Sequence, residues 1–580
     1  ASLASHGYSY AHFTSTGGIL GATSATFNLS NGNAEPSTVS ANTQFIPVNL
    51  GARSFGSYPG STMGTIAVIR QALADAQWCI ARPDAEKIAG DRVAALKGLF
   101  NGKARLVFDD LNEVSFYQAY KIAEEFKLKP VYVFRSDAAR VAHLVKQQGS
   151  DIILRGTIPS KPSIGADLKQ ASINNLPSYF NDLHLSAYLP SACAKFGSSP
   201  SSTSNPLEGI RLYCRAGLDK DAALAAMSTN LAEVLGIQDA GTIEVGKEAS
   251  LILVNGDLFN SNSQILSTFT KGIAQSETFP ERKPIDEIPE EPKLPLMAPN
   301  YDMFPKPADT TPTHRPYRGA TIWTASQAGV LRNTDIRIQN GKIVEVGSNL
   351  EAPSGCEVID AKGMHISPGI WDCHSHTGIS GGVNEGSNMI TAECRIGDVI
   401  DHTTLNIYQN LAGGTVGVNQ LHGSANAIGG QNSVVKWRWG MSPLDFPVDG
   451  APQGVKFALG QNPIREDSSG SANNAIGTTL LTFRPRTRFG VEEAIRRGLQ
   501  LGKEYNQSWA DFNSGKTKVR PRRDLQLEAL GEMVAGTRWV HSHGYRADEM
   551  LMLIRTTDEF GVRLATLQHV LEGFKIADEM

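Results

Sequence analysis

The chain has no CxxC pair, no basic leader running into an apolar stretch, no uninterrupted apolar run of about 18 residues and little excess charge. Each absence excludes something. Its six cysteines (Cys79, Cys193, Cys214, Cys356, Cys373 and Cys394) are widely scattered, which is neither a disulfide framework nor a zinc finger and leaves the redox compartment open. Without a long apolar run, no helix is expected to span a bilayer. A net charge of -4 offers no basic surface for nucleic acid or an anionic membrane. The N-terminal ASLASHGYSY shows no signal peptide, although the chain is read below as beginning inside a domain. What is present is a hydrophobic content of 41%, which fits a globular protein, and 580 residues, too many for one ordinary core.

The length contains a repeat. RLVFDDLNEVSFYQAYKIAEEFKLKPVYVFRSDAARVAHL, from Arg105, matches RWVHSHGYRADEMLMLIRTTDEFGVRLATLQHVLEGFKIAD, from Arg538. Both read as strand, helix ending in EEF or DEF, strand and helix, with Phe126 opposite Phe560. Upstream, Gly64–Arg70 matches Gly490–Arg496 at nearly the same offset. A unit of this length far exceeds solenoid periods and is the size of a barrel-plus-flank domain. The chain holds only about one and a third such units, so two incomplete copies are expected. Residues 1–276 carry the later part of a first copy, and residues 315–580 carry the earlier part of a second. Between them, 277–314 is dense in proline and charge and reads as an extended linker.

After the linker, GATIWTASQAGVLRNTDIRIQNGKIVEVG alternates apolar and polar residues around Asn-Gly and Gly turns, predicting antiparallel hairpins. Beyond Gly369, strands such as TVGVNQL and GVKFALG alternate with helical stretches such as VEEAIRRGLQLGKEY. That alternation predicts an α/β fold with a parallel sheet, compatible with a (β/α)8 TIM-like barrel. The first copy closes with helix AALAAMSTNLAEVLGI and strand-like GTIEVGKEASLILVNGDLF, so a small flanking β-domain is expected beside each barrel.

The chemistry concentrates in SPGIWDCHSHT, residues 367–377. On a strand, His374 and His376 point to one face, and two neutral imidazoles side by side suit a divalent ion such as zinc. This stretch resembles the first-strand motif of the metal-dependent amidohydrolase superfamily, including its imidazolonepropionase-like and dihydroorotase-like enzymes. The resemblance covers the second half. It implies that both histidines bind a catalytic metal at the barrel mouth and that one histidine comes from each of strands five and six. His569 in TLQHVLEGFK matches the sixth. His543, followed by Gly544-Tyr545, matches the fifth, with His541 as runner-up or a supporting neighbour. A further ligand is Gln461, where the resembling enzymes usually carry Glu, or Lys456, which would correspond to the carbamylated bridging lysine of two-metal relatives. His422 and Lys436, in and beside Gly-rich stretches that read as mouth loops, are candidate substrate contacts.

The reaction so implied is hydrolysis of an amide or cyclic amide C–N bond in a small, peptide-like substrate. A bound divalent ion, Zn2+ foremost, would bring the pKa of water to about 7 and polarise the carbonyl. The resembling enzymes use an Asp after the eighth strand as general base, which would lie beyond Met580. The first copy reads as degenerate: His543 falls opposite Asp109 or Asp110 and His569 opposite Arg135, which cannot ligate a cation. Serines in CAKFGSSPSSTSN and Ser250 stand where Asp is expected. Two other classes stay open: a barrel-derived binding or scaffold protein, and a metal-dependent isomerase or decarboxylase on the same fold. Tandem chains of this kind resemble exported bacterial proteins, so an extracytoplasmic location is expected. Self-association into a homo-oligomer is left open.

Overall fold

A computed structural model describes residues 7–13, 17–29, 44–52, 58–82, 84, 90–134, 141–155, 186–188, 207, 210–211, 214, 219–277, 315–464 and 485–580. The linker expected at 277–314 lies outside the described residues except for its first, as do Arg135 and the serine-rich 193–205. Among the described residues no helix is long and apolar enough to cross a membrane.

The first half is built on five parallel strands in chain order: β1 (Gln44–Val48), β2 (Ala104–Leu111), β3 (Val131–Phe134), β4 (Asp151–Arg155) and β5 (Ser186–Tyr188). β3 reads VYVF and is buried throughout, the mark of a parallel strand covered on both faces. The crossovers include α1 (Thr62–Ala81), α2 (Glu113–Phe126) and α3 (Ala142–Gln148). Asn112 and Ser115 form a reciprocal capping box at the start of α2, and Lys127 ends it in the left-handed region. Three antiparallel strands follow: β6 (Leu251–Val254), β7 (Ile265–Thr270) and β8 (Ile273–Glu277).

The second half opens on an antiparallel meander, β9 (Arg315–Trp323), β10 (Val330–Gln339) and β11 (Lys342–Gly347). Asn340 and Gly341 both have positive φ, 52° and 71°, as the two-residue turn joining β10 to β11 requires. Among the described residues β11 lies at the edge of this sheet, with Ile343, Val344 and Val346 exposed. Two further sheets follow. One joins β12 (Ile370–Ser375), β13 (Thr415–Gln420) and β15 (Ser433–Lys436); the other joins β14 (Ile428–Gln431), β16 (Gln453–Ala458), β17 (Arg538–Gly544) and β18 (Leu564–His569). The pairs β12–β13, β16–β17 and β17–β18 are parallel. The helices α4 (Arg488–Asn513), α5 (Leu525–Val534) and α6 (Ala547–Phe560) cover the second of these sheets.

The α/β class with parallel strands is present, but the expected closed barrel is not: among the described residues each half holds open sheets. Closure needs every edge strand to find a partner, and neither β12 nor β18 pairs with a second strand among the described residues.

The stretches matched in sequence between the two halves have similar local features. α2 and α6 have 14 residues each and end at Phe126 and Phe560. Arg70 of α1 bonds Glu125 at 2.6 Å, and Arg496 of α4 bonds Glu559 at 2.6 Å. Both carboxylates immediately precede the terminal Phe.

The halves are packed on each other. Cys394, Ile396 and Val399 of the second half sit in the same apolar core as Ile66, Phe108 and Phe116 of the first. Arg70 is buried between Glu125 of its own half and Asp398 of the other. Burial raises the pKa of Asp398, but the charge and hydrogen bond of Arg70, together with the charges of Arg395 and Lys121, hold the carboxyl below its ordinary range. Arg522 adds a more exposed bond to Asp75 at 2.7 Å.

Close helix packing makes one position sharply testable. A Cβ on Gly502 of α4 would stand 2.6 Å from the backbone of Leu530 in α5. In a free helix, Gly→Ala gains about 1 kcal/mol. Here the obstacle is backbone and cannot swing aside, so overpacking of about 1–3 kcal/mol is expected to prevail. Gly502→Ala should therefore lower the urea midpoint; a raised midpoint would show that α4 and α5 can separate freely.

Candidate metal centre

Parallel pairing brings the chemical side chains to one level. On β17, His541 and His543 share a face, opposite Lys456 and Ala458 of β16 and Thr566 and Gln568 of β18. β12 delivers His374 from the other sheet, and His376 directly follows its last residue, Ser375. The result is a cluster in which the His374 and His569 rings are 5.3 Å apart, His543 and His569 4.6 Å, and His374 and His376 5.0 Å. The Tyr545 ring lies 4.4 Å from His543.

The Nε2 atoms of His374 and His376 approach to 3.2 Å. Two nitrogens each about 2.0–2.1 Å from one tetrahedral ion stand roughly 3.3 Å apart, so this spacing is what shared coordination needs. His376 Nδ1 donates to the Leu421 carbonyl at 2.9 Å, which leaves the Nε2 lone pair facing His374. His543 is buried, with a hydrogen-bond partner on neither ring nitrogen. Two buried imidazole nitrogens without partners are costly unless something else meets them. Among the described residues, no three His, Cys, Asp or Glu side chains are already arranged for joint coordination. The donors nevertheless fit a borderline divalent ion: four imidazoles, all biased toward the neutral, ligating form. Burial and then Lys456 bring His374 down to about 3; burial and then His569 bring His543 to about 4. Burial likewise lowers His376 and His569.

The structure redistributes the remaining candidates. Lys456 is fully buried among the histidines, its Nζ 2.6 Å from Gln568 Oε1 and 3.3 Å from His374 Nε2. Burial lowers its pKa to about 8. Sequence reasoning set it low on the strand; its long side chain reaches up from there to Gln568. Gln461, by contrast, is exposed in the turn after β16, because that strand ends at Ala458. His541 lies below the cluster, bonded through Nδ1 to Thr566 at 2.9 Å, its ring against Gly454 where a Cβ would leave no room. Gln568 was missed: a polar residue beside His569 carries no signal until register shows that it shares the face of Lys456.

The two expected substrate contacts are placed differently from each other. Lys436 is exposed and pairs with Gly417, toward the end of β13 away from His376. His422 is fully buried, and backbone uses both its nitrogens: Nε2 accepts from the Glu385 N–H at 2.7 Å, and Nδ1 donates to the Gly423 carbonyl at 2.8 Å. Its ring rests on Gly429 and Gly430.

His422 has a consequence in acid. Burial holds its folded pKa at about 4, below the ordinary 6.5. Between these values the unfolded chain binds a proton that the folded chain refuses. Its stabilising contribution is therefore complete above about pH 6.5 and is lost as pH falls toward 4. One such proton contributes a slope of about 1.4 kcal/mol per pH unit. Urea unfolding between pH 7.5 and 4.5 should show His422→Asn with a slope shallower by about that amount. An unchanged slope would remove His422 from the acid response.

Comparison with known proteins finds amidohydrolase likenesses in family, sequence and structure. The model of the amidohydrolase family matches residues 189–274. Over 303 residues the chain is 26% identical to amidohydrolase tasK of Hapsidospora irregularis, covering 45% of this chain and 30% of that protein. It is 41% identical over 59 residues to a dihydroorotase of Geobacter metallireducens, covering 10% of this chain and 14% of the relative. It is also 46% identical over 70 residues to an allantoinase of Enterococcus faecalis, covering 11% and 15%. The chain thus spans less than a third of the length of each of these relatives. A solved amidohydrolase from Thermotoga maritima aligns at a TM-score of 0.40 and 28% identity, covering 45% of this chain and 66% of that one.

Proposed function

Because this chain belongs to the amidohydrolase superfamily, we propose that it carries the centre of a metal-dependent hydrolase cleaving an amide or cyclic amide C–N bond. The observation that carries this reading is the convergence of His374, His376, His543 and His569, with two Nε2 atoms 3.2 Å apart. These four would hold a divalent ion, Zn2+ by donor type. Such an ion supplies Lewis acidity toward water and a carbonyl oxygen. The chain's own groups do the rest. The Leu421 carbonyl fixes the tautomer of His376. Lys456 holds a proton at Nζ at neutral pH and can release it above about pH 8, 3.3 Å from His374. Tyr545, partly exposed beside His543 and His569, lines the approach.

The amidohydrolase, dihydroorotase and allantoinase names of the relatives support the bond class. The two halves are read as related to one and the same domain type. Supporting that reading are the equal 14-residue helices, the matching Arg–Glu pairs at 2.6 Å, and a family match lying wholly in the first half, away from the histidines. The test is elemental analysis of the purified chain, followed by a screen of cyclic amides and dipeptides. About one equivalent of divalent metal is expected; a chain that takes up none would end the hydrolytic reading.

A further inference from the structure

The segment between β12 and β13 does more than connect them. Glu385 within it is fully buried, and its carboxylate is met by N–H and O–H donors. It accepts from Gly60 N at 2.9 Å, Ser61 N at 2.8 Å and Ser61 Oγ at 2.8 Å, all in the first half. Ser387 adds its N–H at 3.2 Å and its hydroxyl. Ser61 caps α1, so the carboxylate also sits at the positive end of a 20-residue helix. Gly64 leaves the space: a Cβ there would stand 2.1 Å from Glu385 Oε2.

The backbone of the same residue faces the other way. Its N–H donates to His422 Nε2 at 2.7 Å, and its carbonyl accepts from Asn426 Nδ2 at 2.8 Å. His422 follows Leu421, whose carbonyl orients His376. A continuous line of bonds therefore runs from the start of α1, through Glu385 and His422, to a histidine of the cluster.

We propose that Glu385 is a positioning residue for the metal centre: anchored on α1 of the first half, it holds His422 and the Leu421 carbonyl where they aim His376. The half without the histidine set thereby contributes to the centre in the other. This rests on the metal reading above. Outer partners of ligating histidines typically change metal affinity by about 10–100-fold when lost.

The experiment is titration of the metal-stripped full chain with Co2+, read by its visible absorption, for the wild type, Glu385→Ala, Glu385→Gln, Ser61→Ala and Asp75→Asn. Glu385→Ala should weaken Co2+ binding by about 10–100-fold and alter the spectrum. Glu385→Gln should fall between it and the wild type, and Ser61→Ala should lose a few-fold. Asp75→Asn, which breaks the Arg522 bond across the same contact, should bind as the wild type does. Glu385→Ala with wild-type affinity and spectrum would overturn the proposal. So would equal losses in Asp75→Asn, which would reduce Glu385 to general docking. If Glu385→Ala does not fold, Glu385→Gln and Ser61→Ala decide, and wild-type binding in both would overturn it. A wild type that takes up no Co2+ overturns the metal reading itself, whereas normal wild-type uptake with an indifferent Glu385→Ala overturns only the positioning role.

Discussion

Alanine in place of both His374 and His376 is expected to take bound divalent metal from about one equivalent per chain to near zero and to lower amide hydrolysis by about 10³ or more. The two Nε2 atoms stand 3.2 Å apart, close enough to share one ion. Without them, His543 and His569 remain as two imidazoles, too few for a four-coordinate site. The fold should survive. Both rings stand at the open side of β12, and that strand is held to β13 by its backbone ladder. Elemental analysis, circular dichroism and turnover of the double variant together check this. Metal retained at full stoichiometry by a folded double variant would place the ion elsewhere in the chain.

The second large effect lies at the contact between the halves. Arg70→Met should cost about 3–5 kcal/mol, because it leaves Asp398 buried without its counter-charge. Arg70 is 2% exposed and Asp398 7%, so water cannot take the arginine's place. Arg496 in α4 pairs with Glu492 and Glu559, and all three side chains are about one-third exposed or more. Arg496→Met should therefore cost under about 1 kcal/mol. The comparison separates burial from pairing, since both arginines hold two carboxylates. Urea midpoints give the measurement. The double variant Arg70→Met/Asp398→Leu should recover much of the loss, because an apolar pair of similar volume carries no desolvation cost. Equal small losses for the two arginines would mean that the contact between the halves opens readily to water.

These two expectations also mark how far the sequence could be read. His374 and His376 were legible because a two-residue period on a strand leaves little choice of face. The Asn-Gly turn between β10 and β11 was legible because its chemistry is local. Arg70 and Arg496 were paired by sequence likeness, and each holds two carboxylates. Lys456 and Gln461 could not be ranked correctly. That decision depends on where β16 stops and how far a lysine stem extends, and both are settled by the neighbouring strands. The bonds of His422 were not legible: a histidine in a Gly-rich loop looks available, and only packing shows its nitrogens occupied. The anchoring of Glu385 joins residues more than 320 positions apart, and no local pattern announces a bond of that span.

β11 sets how this protein behaves when concentrated. Among the described residues its outer edge offers a row of backbone donors and acceptors beside Ile343, Val344 and Val346, the arrangement on which another chain adds itself as a further strand. Turbidity and filament growth in stored samples should start there. Val344→Lys, on a strand that supplies none of the four histidines, should keep solutions clear at higher concentration while leaving metal content untouched.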